Sequence, residues 1–357
     1  MNTKELQKND YRIAGRTTYV DEILYLGFSG CFIEFETDSS LVEIDYITDK
    51  ELEEESLLGK TAVYIDGEKA PLGDIILDEY KKHIQVDIKK DCGTNNTHIV
   101  RIEKISEAAF GLVGIAKVLI EESAVVRPTV AKSRKIEFIG DSITCGYGVG
   151  ANDPLMPFRT DQESCEEAFA IRTARQLDAE FQLVSWSGTG TLTNWVPEDV
   201  NEPLDEMLMP RLYKYRDLRL AEKLGMEPEV WDNSQYIPEL IVINLGTNDD
   251  SYVRKLPERE QEYIPTFDTF LEQVHEANPG SAILWILGMM GQNLCHVQEE
   301  RIKQFSCAHP DVHIGYIWMP EQNSEQDGYA ADYHPSIATH IKSTEYLLPK
   351  IQEFMNW

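Results

Sequence analysis

The residues that could do chemistry sit at abrupt stops in apolar runs. The run Phe138-Ile139 ends in Gly140-Asp141-Ser142, and two further glycines, Gly146 and Gly148, follow at once. A second run closes on Ser185-Trp186-Ser187-Gly188-Thr189-Gly190. A third closes on Gly246-Thr247-Asn248-Asp249, and Asp332-Tyr333-His334-Pro335 lies near the C-terminus. Acyl transfer needs a hydroxyl nucleophile, a base within hydrogen-bond reach, and donors aimed at the developing oxyanion. Ser142 is placed where a strand turns into a helix, whose first N–H groups have no partner within the helix. Gly188 has no side chain to keep its N–H from a ligand. The Asn248 amide is a donor that does not titrate. His334, just before a final helical segment, is the candidate base.

Elements of two kinds must position these residues. From residue 11 to about 122 the chain reads as all-β. Stretches such as LYLGFSGCFIEFET, SLVEIDYI, TAVYIDGE and THIVRIEKI alternate and are rich in β-branched and aromatic residues. Turn signals at Asp66-Gly67 and Thr94-Asn95-Asn96 separate them. This pattern predicts an antiparallel sandwich over 1–125, jelly-roll-like in type, then a connector over 126–134. From 135 to 357 the period changes. Five apolar runs, RKIEFIG, FQLVSWSG, ELIVINLG, SAILWILG and VHIGYIWM, alternate with helical candidates at Ser164–Ala179, Pro265–Ala277, Asn293–Cys307 and Ser336–Phe354. Strands buried on both faces and alternating with helices make a parallel α/β sheet. In such sheets the ligand sits at the carboxyl ends of the strands. The first helix would bury Ala168, Ile171, Ala174 and Leu177; the last would bury Ile337, Ile341, Leu348 and Ile351.

Bulk properties narrow the partner. The chain of 357 residues carries 33 basic and 62 acidic residues, a formal charge of −29. Such a surface repels nucleic acid and anionic membranes and suits a neutral substrate such as a sugar or an uncharged ester. The start lacks the apolar core of a secretory signal, and no run of apolar residues is long enough to span a bilayer, so the expected location is cytoplasmic. The cysteines at 31, 92, 145, 165, 295 and 307 form no CxxC pair, and the histidines show no ligand-like cluster. Neither a metal nor a cofactor is expected. A homo-oligomer is left open.

The four blocks together, GDS, a glycine, GTND and a late aspartate–histidine pair, resemble the GDSL or SGNH hydrolase superfamily. The longer stretches GDSITCGYG, MPRLYKYRD, WDNSQYIPELIVINLGTND and DYHPSIATH are similar to carbohydrate esterase family 2. That resemblance implies a β-sandwich ahead of an SGNH domain with a flavodoxin-like, five-stranded parallel sheet between helices. It implies an acetyl esterase of the acetylxylan esterase kind, acting on acetylated hemicellulose saccharides through an acetyl-enzyme. Ser142 would be the nucleophile and His334 the base and then the acid; Ser142 N–H, Gly188 N–H and the Asn248 side chain would form the oxyanion hole. The superfamily places its aspartate three residues before the histidine, whereas Asp332 is two before His334. In an extended segment Asp332 still meets the imidazole and completes a triad. Otherwise a backbone carbonyl orients His334 and the site is a dyad.

Neighbouring residues have plainer roles. Asp141 is expected to tie down its turn, Cys145 to pack as a small residue, and His340 to be an ordinary helix residue. Trp195 and Trp231, in polar loops, and Tyr252 are candidate sugar contacts. Two rival functions are an SGNH lipase or thioesterase and a carbohydrate-binding protein with an inactive hydrolase domain.

Overall fold

The computed structural model describes residues 2–52, 54–88 and 97–357. It divides into two compact units.

The first unit comprises Met1–Ala131 together with two later excursions, Arg159–Asp161 and Arg216–Glu229. Two six-stranded antiparallel sheets form it. In Leu41–Ile47 the alternation read from the sequence is realised: Val42, Ile44 and Tyr46 are buried and their neighbours are partly exposed. Asp66-Gly67 turns the chain between Lys60–Ile65 and Glu68–Ile76, with Ile65 paired to Glu68. Both turn residues have positive φ, 52° and 87°, as a turn matched to strand twist requires. The turn expected at Thr94-Asn95-Asn96 lies outside the described residues. The second excursion carries a short helix, Leu218–Leu224, capped by the Asp217 carboxylate, which accepts from Leu220 N at 2.9 Å.

The second unit holds the five parallel strands expected: β1 Arg134–Gly140, β2 Ala179–Ser185, β3 Leu240–Asn244, β4 Ala282–Leu287 and β5 Ile314–Trp318. Their order is β2-β1-β3-β4-β5. Every residue of β2, β3 and β4 is buried, which is why these runs show no alternation. The helices are α1 Ser142–Cys145, α2 Phe169–Gln176, α3 Thr247–Val253, α4 Pro257–Ala277, α5 Cys295–Ala308 and α6 Ile337–Met355, with further short ones at Met209–Lys214 and Ser324–Asp327. Register sets the site: Gly140 of β1 pairs with Ser185 of β2 and with Asn244 of β3. The three strands therefore end level, and the three loops that follow start from one edge. The order reverses direction at β1 and β3, the place where open parallel sheets bind ligands.

Three expectations about helices need correction. The candidate Ser164–Ala179 is an α-helix only over Phe169–Gln176, after a 3-10 turn at Cys165–Glu167, and Ala179 already begins β2. Helix α4 begins at Pro257, not Pro265, and carries Pro265 inside it. An interior proline costs roughly 3 kcal/mol. The buried stripe of Tyr263, Phe267, Phe270, Leu271 and Val274 offsets that loss. In α6 the buried face is Thr339, His340, Ser343, Thr344, Leu347 and Ile351, whereas Ile337 and Ile341 are more than a third exposed. Helix α2 packs against this face, and the backbone N–H of Phe169 donates to Nδ1 of His340 at 3.2 Å. Small and polar residues let the two helices approach, so an apolar count misread the face. The face read for α2 is buried as expected.

Candidate active site

Ser142 is the first residue of α1. The Asp141 carboxylate caps that helix by accepting from Ile143 N at 3.0 Å. Four residues later Gly146 ends it with φ 75°, its N–H donating to Ser142 O. A helix this short exists to present one residue: the Ser142 side chain emerges at the end of β1. His334 reaches it from a segment almost two hundred positions away in the chain, and Nε2 of His334 lies 2.8 Å from Oγ of Ser142.

The other imidazole nitrogen faces backbone. Nδ1 of His334 lies 3.1 Å from the carbonyl oxygen of Ala331. When Nδ1–H donates there, Nε2 is left as the acceptor facing Ser142. Asp332 does not take this place: its carboxylate accepts from the Tyr147 hydroxyl at 2.9 Å. The extended segment that a triad needed is absent, because Asp332 and Tyr333 both have positive φ, 48° and 61°. Burial pushes the His334 imidazole down to about 4, against the Ala331 carbonyl and the Asp332 charge, which favour protonation. The ring is therefore a neutral, proton-accepting base at neutral pH. The Tyr147 ring covers it at 4.4 Å between centroids, and Phe158 stacks on Tyr147 at 4.0 Å.

Gly188 has φ 75°, and a Cβ built there would meet nothing within 4 Å. Its glycine identity answers to backbone conformation rather than crowding. Asn248, in the first turn of α3, donates through Nδ2 to Thr189 O at 2.8 Å, with the Asp141 carboxylate at 3.3 Å. The first bond fixes the amide; the second is long and leaves an N–H that a better acceptor can claim. Asp249, beside Asn248, does not bond within its own turn. It instead gathers the Thr191, Leu192 and Thr193 N–H groups at 2.8–3.2 Å. Burial raises its carboxyl to about 6 despite these donors.

Ser142, Gly188, Asn248 and His334 line one cleft of about 780 Å³, with Trp195, Met290, Asp332 and Tyr333 on its walls. Trp195 is 59% exposed. Its backbone is pinned by Trp195 N to Gly188 O at 2.8 Å and Val196 N to Ser251 Oγ at 2.7 Å. The other two aromatic candidates lie elsewhere. Trp231 is buried, and Tyr252 is buried with its hydroxyl on Glu262 and its ring under Arg259; neither lines the cleft. Met290 and Tyr333 were missed in the sequence. Tyr333 stood beside His334, a signal that was available; Met290 follows β4 as an ordinary apolar residue, and nothing marked it.

The chain matches the model of the GDSL-like Lipase/Acylhydrolase family over residues 138–340. It belongs to that family. This GDSL-like chain is 25% identical to an acetylxylan esterase / glucomannan deacetylase of Cellvibrio japonicus, over 100% of its own length and 94% of the relative's. It is 29% identical to the cellulase/esterase CelE of Acetivibrio thermocellus over 73% of its own length, and spans 30% of CelE. Among solved structures it matches a family two carbohydrate esterase from Clostridium thermocellum in complex with cellohexaose, with a TM-score of 0.83 and 25% identity across 97% of this chain and 99% of that one. The likeness to family 2 carbohydrate esterases read from the longer stretches thus extends over nearly the whole chain.

Proposed function

We propose that this chain is a serine esterase that removes O-acetyl groups from hemicellulose-derived saccharides, acetylated xylan or mannan fragments, through an acetyl-enzyme on Ser142. The observation that carries the reading is the 2.8 Å approach of His334 Nε2 to Ser142 Oγ at the floor of an open cleft. Ser142 Oγ attacks the acetyl carbonyl carbon while Nε2 of His334 takes the hydroxyl proton. The carbonyl oxygen becomes an oxyanion, met by the N–H groups of Ser142 and Gly188 and by the Asn248 amide. The intermediate collapses; the C–O bond to the sugar breaks and His334 returns the proton to the departing sugar oxygen. Water then repeats the sequence on the acetyl-serine, releasing acetate. The Ala331 carbonyl holds the ring and stabilises the imidazolium, so the site is a Ser–His dyad with a backbone orienter.

Three features favour an acetylated sugar over a lipid. Hydroxyl, amide, carboxylate and aromatic groups line the cleft, with Met290 the one aliphatic side chain among the lining residues. Trp195 presents an exposed ring at the rim, where a pyranose stacks well. The relative from Cellvibrio japonicus is named for acetylxylan and glucomannan. The test is acetate release from acetylated xylo- and manno-oligosaccharides beside a series of 4-nitrophenyl esters of growing acyl length. Saccharide turnover and a steep fall beyond acetate are the expected result; rates that climb with acyl length would make a lipase-type hydrolase the better reading.

A further inference from the structure

Next to the cleft lies a second hollow of about 420 Å³. The two share a wall, since Asp250 lines both. Its volume falls within the range of roughly 300–1,000 Å³ typical of small-molecule sites. Asp250, Lys255, Glu260, Gln292, Asn293 and His296 supply its polar groups.

These groups point to one chemistry. Two carboxylates, one ammonium and one imidazole face the hollow, a mixed lining rather than a field of one sign. Two amides add donors and acceptors of both kinds, and only Val253 and Leu294 give apolar lining, too little for an acyl chain. A neutral polyol, whose hydroxyls donate and accept in turn, suits such a mixture. Several of the groups are held ready. Asn293 Nδ2 donates to Asp250 Oδ2 at 2.7 Å, and Gln292 Nε2 donates to Met319 O at 2.7 Å.

The backbone is committed to this arrangement. Arg254 and Lys255 both have positive φ, 50° and 59°, a conformation that costs a non-glycine residue of order 1–2 kcal/mol. The Arg254 guanidinium holds it by donating to Glu198 O at 2.8 Å and to Val196 O at 3.4 Å. Those carbonyls belong to the loop that carries Trp195. One residue thus fixes the spacing between the aromatic ring at the cleft and Lys255 at the hollow.

We propose that the hollow is a second saccharide subsite, which receives an unesterified sugar unit adjoining the acetylated one. This deepens, and rests on, the reading of the chain as a saccharide acetyl esterase. The test compares kcat/KM on monoacetylated xylose, xylobiose and xylotriose and on 4-nitrophenyl acetate, in the parent, Lys255→Ala and His296→Ala proteins. Both replaced side chains are exposed, so the variants should fold. The parent should gain about tenfold in kcat/KM when a second sugar is added, the worth of one or two hydrogen bonds. Each variant should forfeit about threefold of that gain and leave 4-nitrophenyl acetate hydrolysis unchanged. Equal rates on the mono- and disaccharides, or variants that keep the full gain, would overturn the subsite and leave the esterase reading standing. A parent protein that cleaves 4-nitrophenyl acetate but no acetylated saccharide would overturn both.

Discussion

The Tyr147 hydroxyl donates to the Asp332 carboxylate at 2.9 Å, and by that bond the aspartate nearest the base is engaged away from it. His334 leans instead on the Ala331 carbonyl.

The first prediction follows from this division. Replacing the carboxylate of a Ser–His–Asp triad costs about 10⁴ in kcat. Here Asp332→Ala should cost less than about tenfold, because the imidazole keeps its backbone acceptor. Tyr147→Phe, which frees Asp332 but retains the ring over His334, separates the charge from the packing. Steady-state kcat across pH for both variants makes the comparison, and a loss near the triad value in Asp332→Ala would show that the aspartate swings onto His334 during turnover.

Most of this site could be read without coordinates, and the exceptions have physical causes. Gly140, Ser185 and Asn244 end level because three apolar runs pair in register, and the runs themselves were plain in the sequence. Ser142 and His334 were found by residue type at strand and helix boundaries. The role of Asp332 depended on two φ angles, and a left-handed pair of ordinary residues leaves no mark in composition. Trp231 and Tyr252 sat in polar surroundings along the chain, yet tertiary packing buried both. The two excursions that join the first unit were also hidden, since nothing local marks Arg159–Asp161 or Arg216–Glu229 as belonging with strands that precede them.

Asn248 gives the second prediction. Asn248→Ala should lower kcat by about 10²–10³ with little change in KM, the usual cost of an oxyanion donor. Asn248→Asp keeps the shape but sets a negative charge beside the forming oxyanion, and it should be at least as impaired. Near-parental activity in Asn248→Ala would remove the amide from the reaction.

The pH behaviour supplies the third. The base must be neutral to accept the Ser142 proton, and burial holds His334 down to about 4. So kcat/KM should rise through a limb near pH 4 and be flat from about pH 5.5 to neutrality. A limb near 6.5, the ordinary imidazole value, would mean that the ring is hydrated in the free enzyme.

Stability should show the same sign. His334 and His340 are both depressed by burial, to about 4 and about 3, with the Arg172 charge adding to the effect on His340. Below about 6.5 the unfolded chain takes up these protons first, so their contribution is lost as pH falls toward the folded values. Asp249 acts in the other direction: its carboxyl is raised to about 6, so its contribution is full in acid and is lost as pH rises through that value. Thermal unfolding should therefore move to lower temperature between pH 6.5 and 4, and the slope should be shallower in His340→Asn. A slope that the substitution leaves unchanged would place the proton uptake elsewhere.

The central claim is that the Ser142 oxygen carries the acyl group between substrate and water. Acid quenching of the protein during turnover of 4-nitrophenyl acetate, followed by peptide mass mapping, addresses it directly. One added acetyl group on the peptide containing Ser142, absent from Ser142→Ala, is the predicted result. Acetyl found on another side chain, or full hydrolysis by Ser142→Ala, would contradict it.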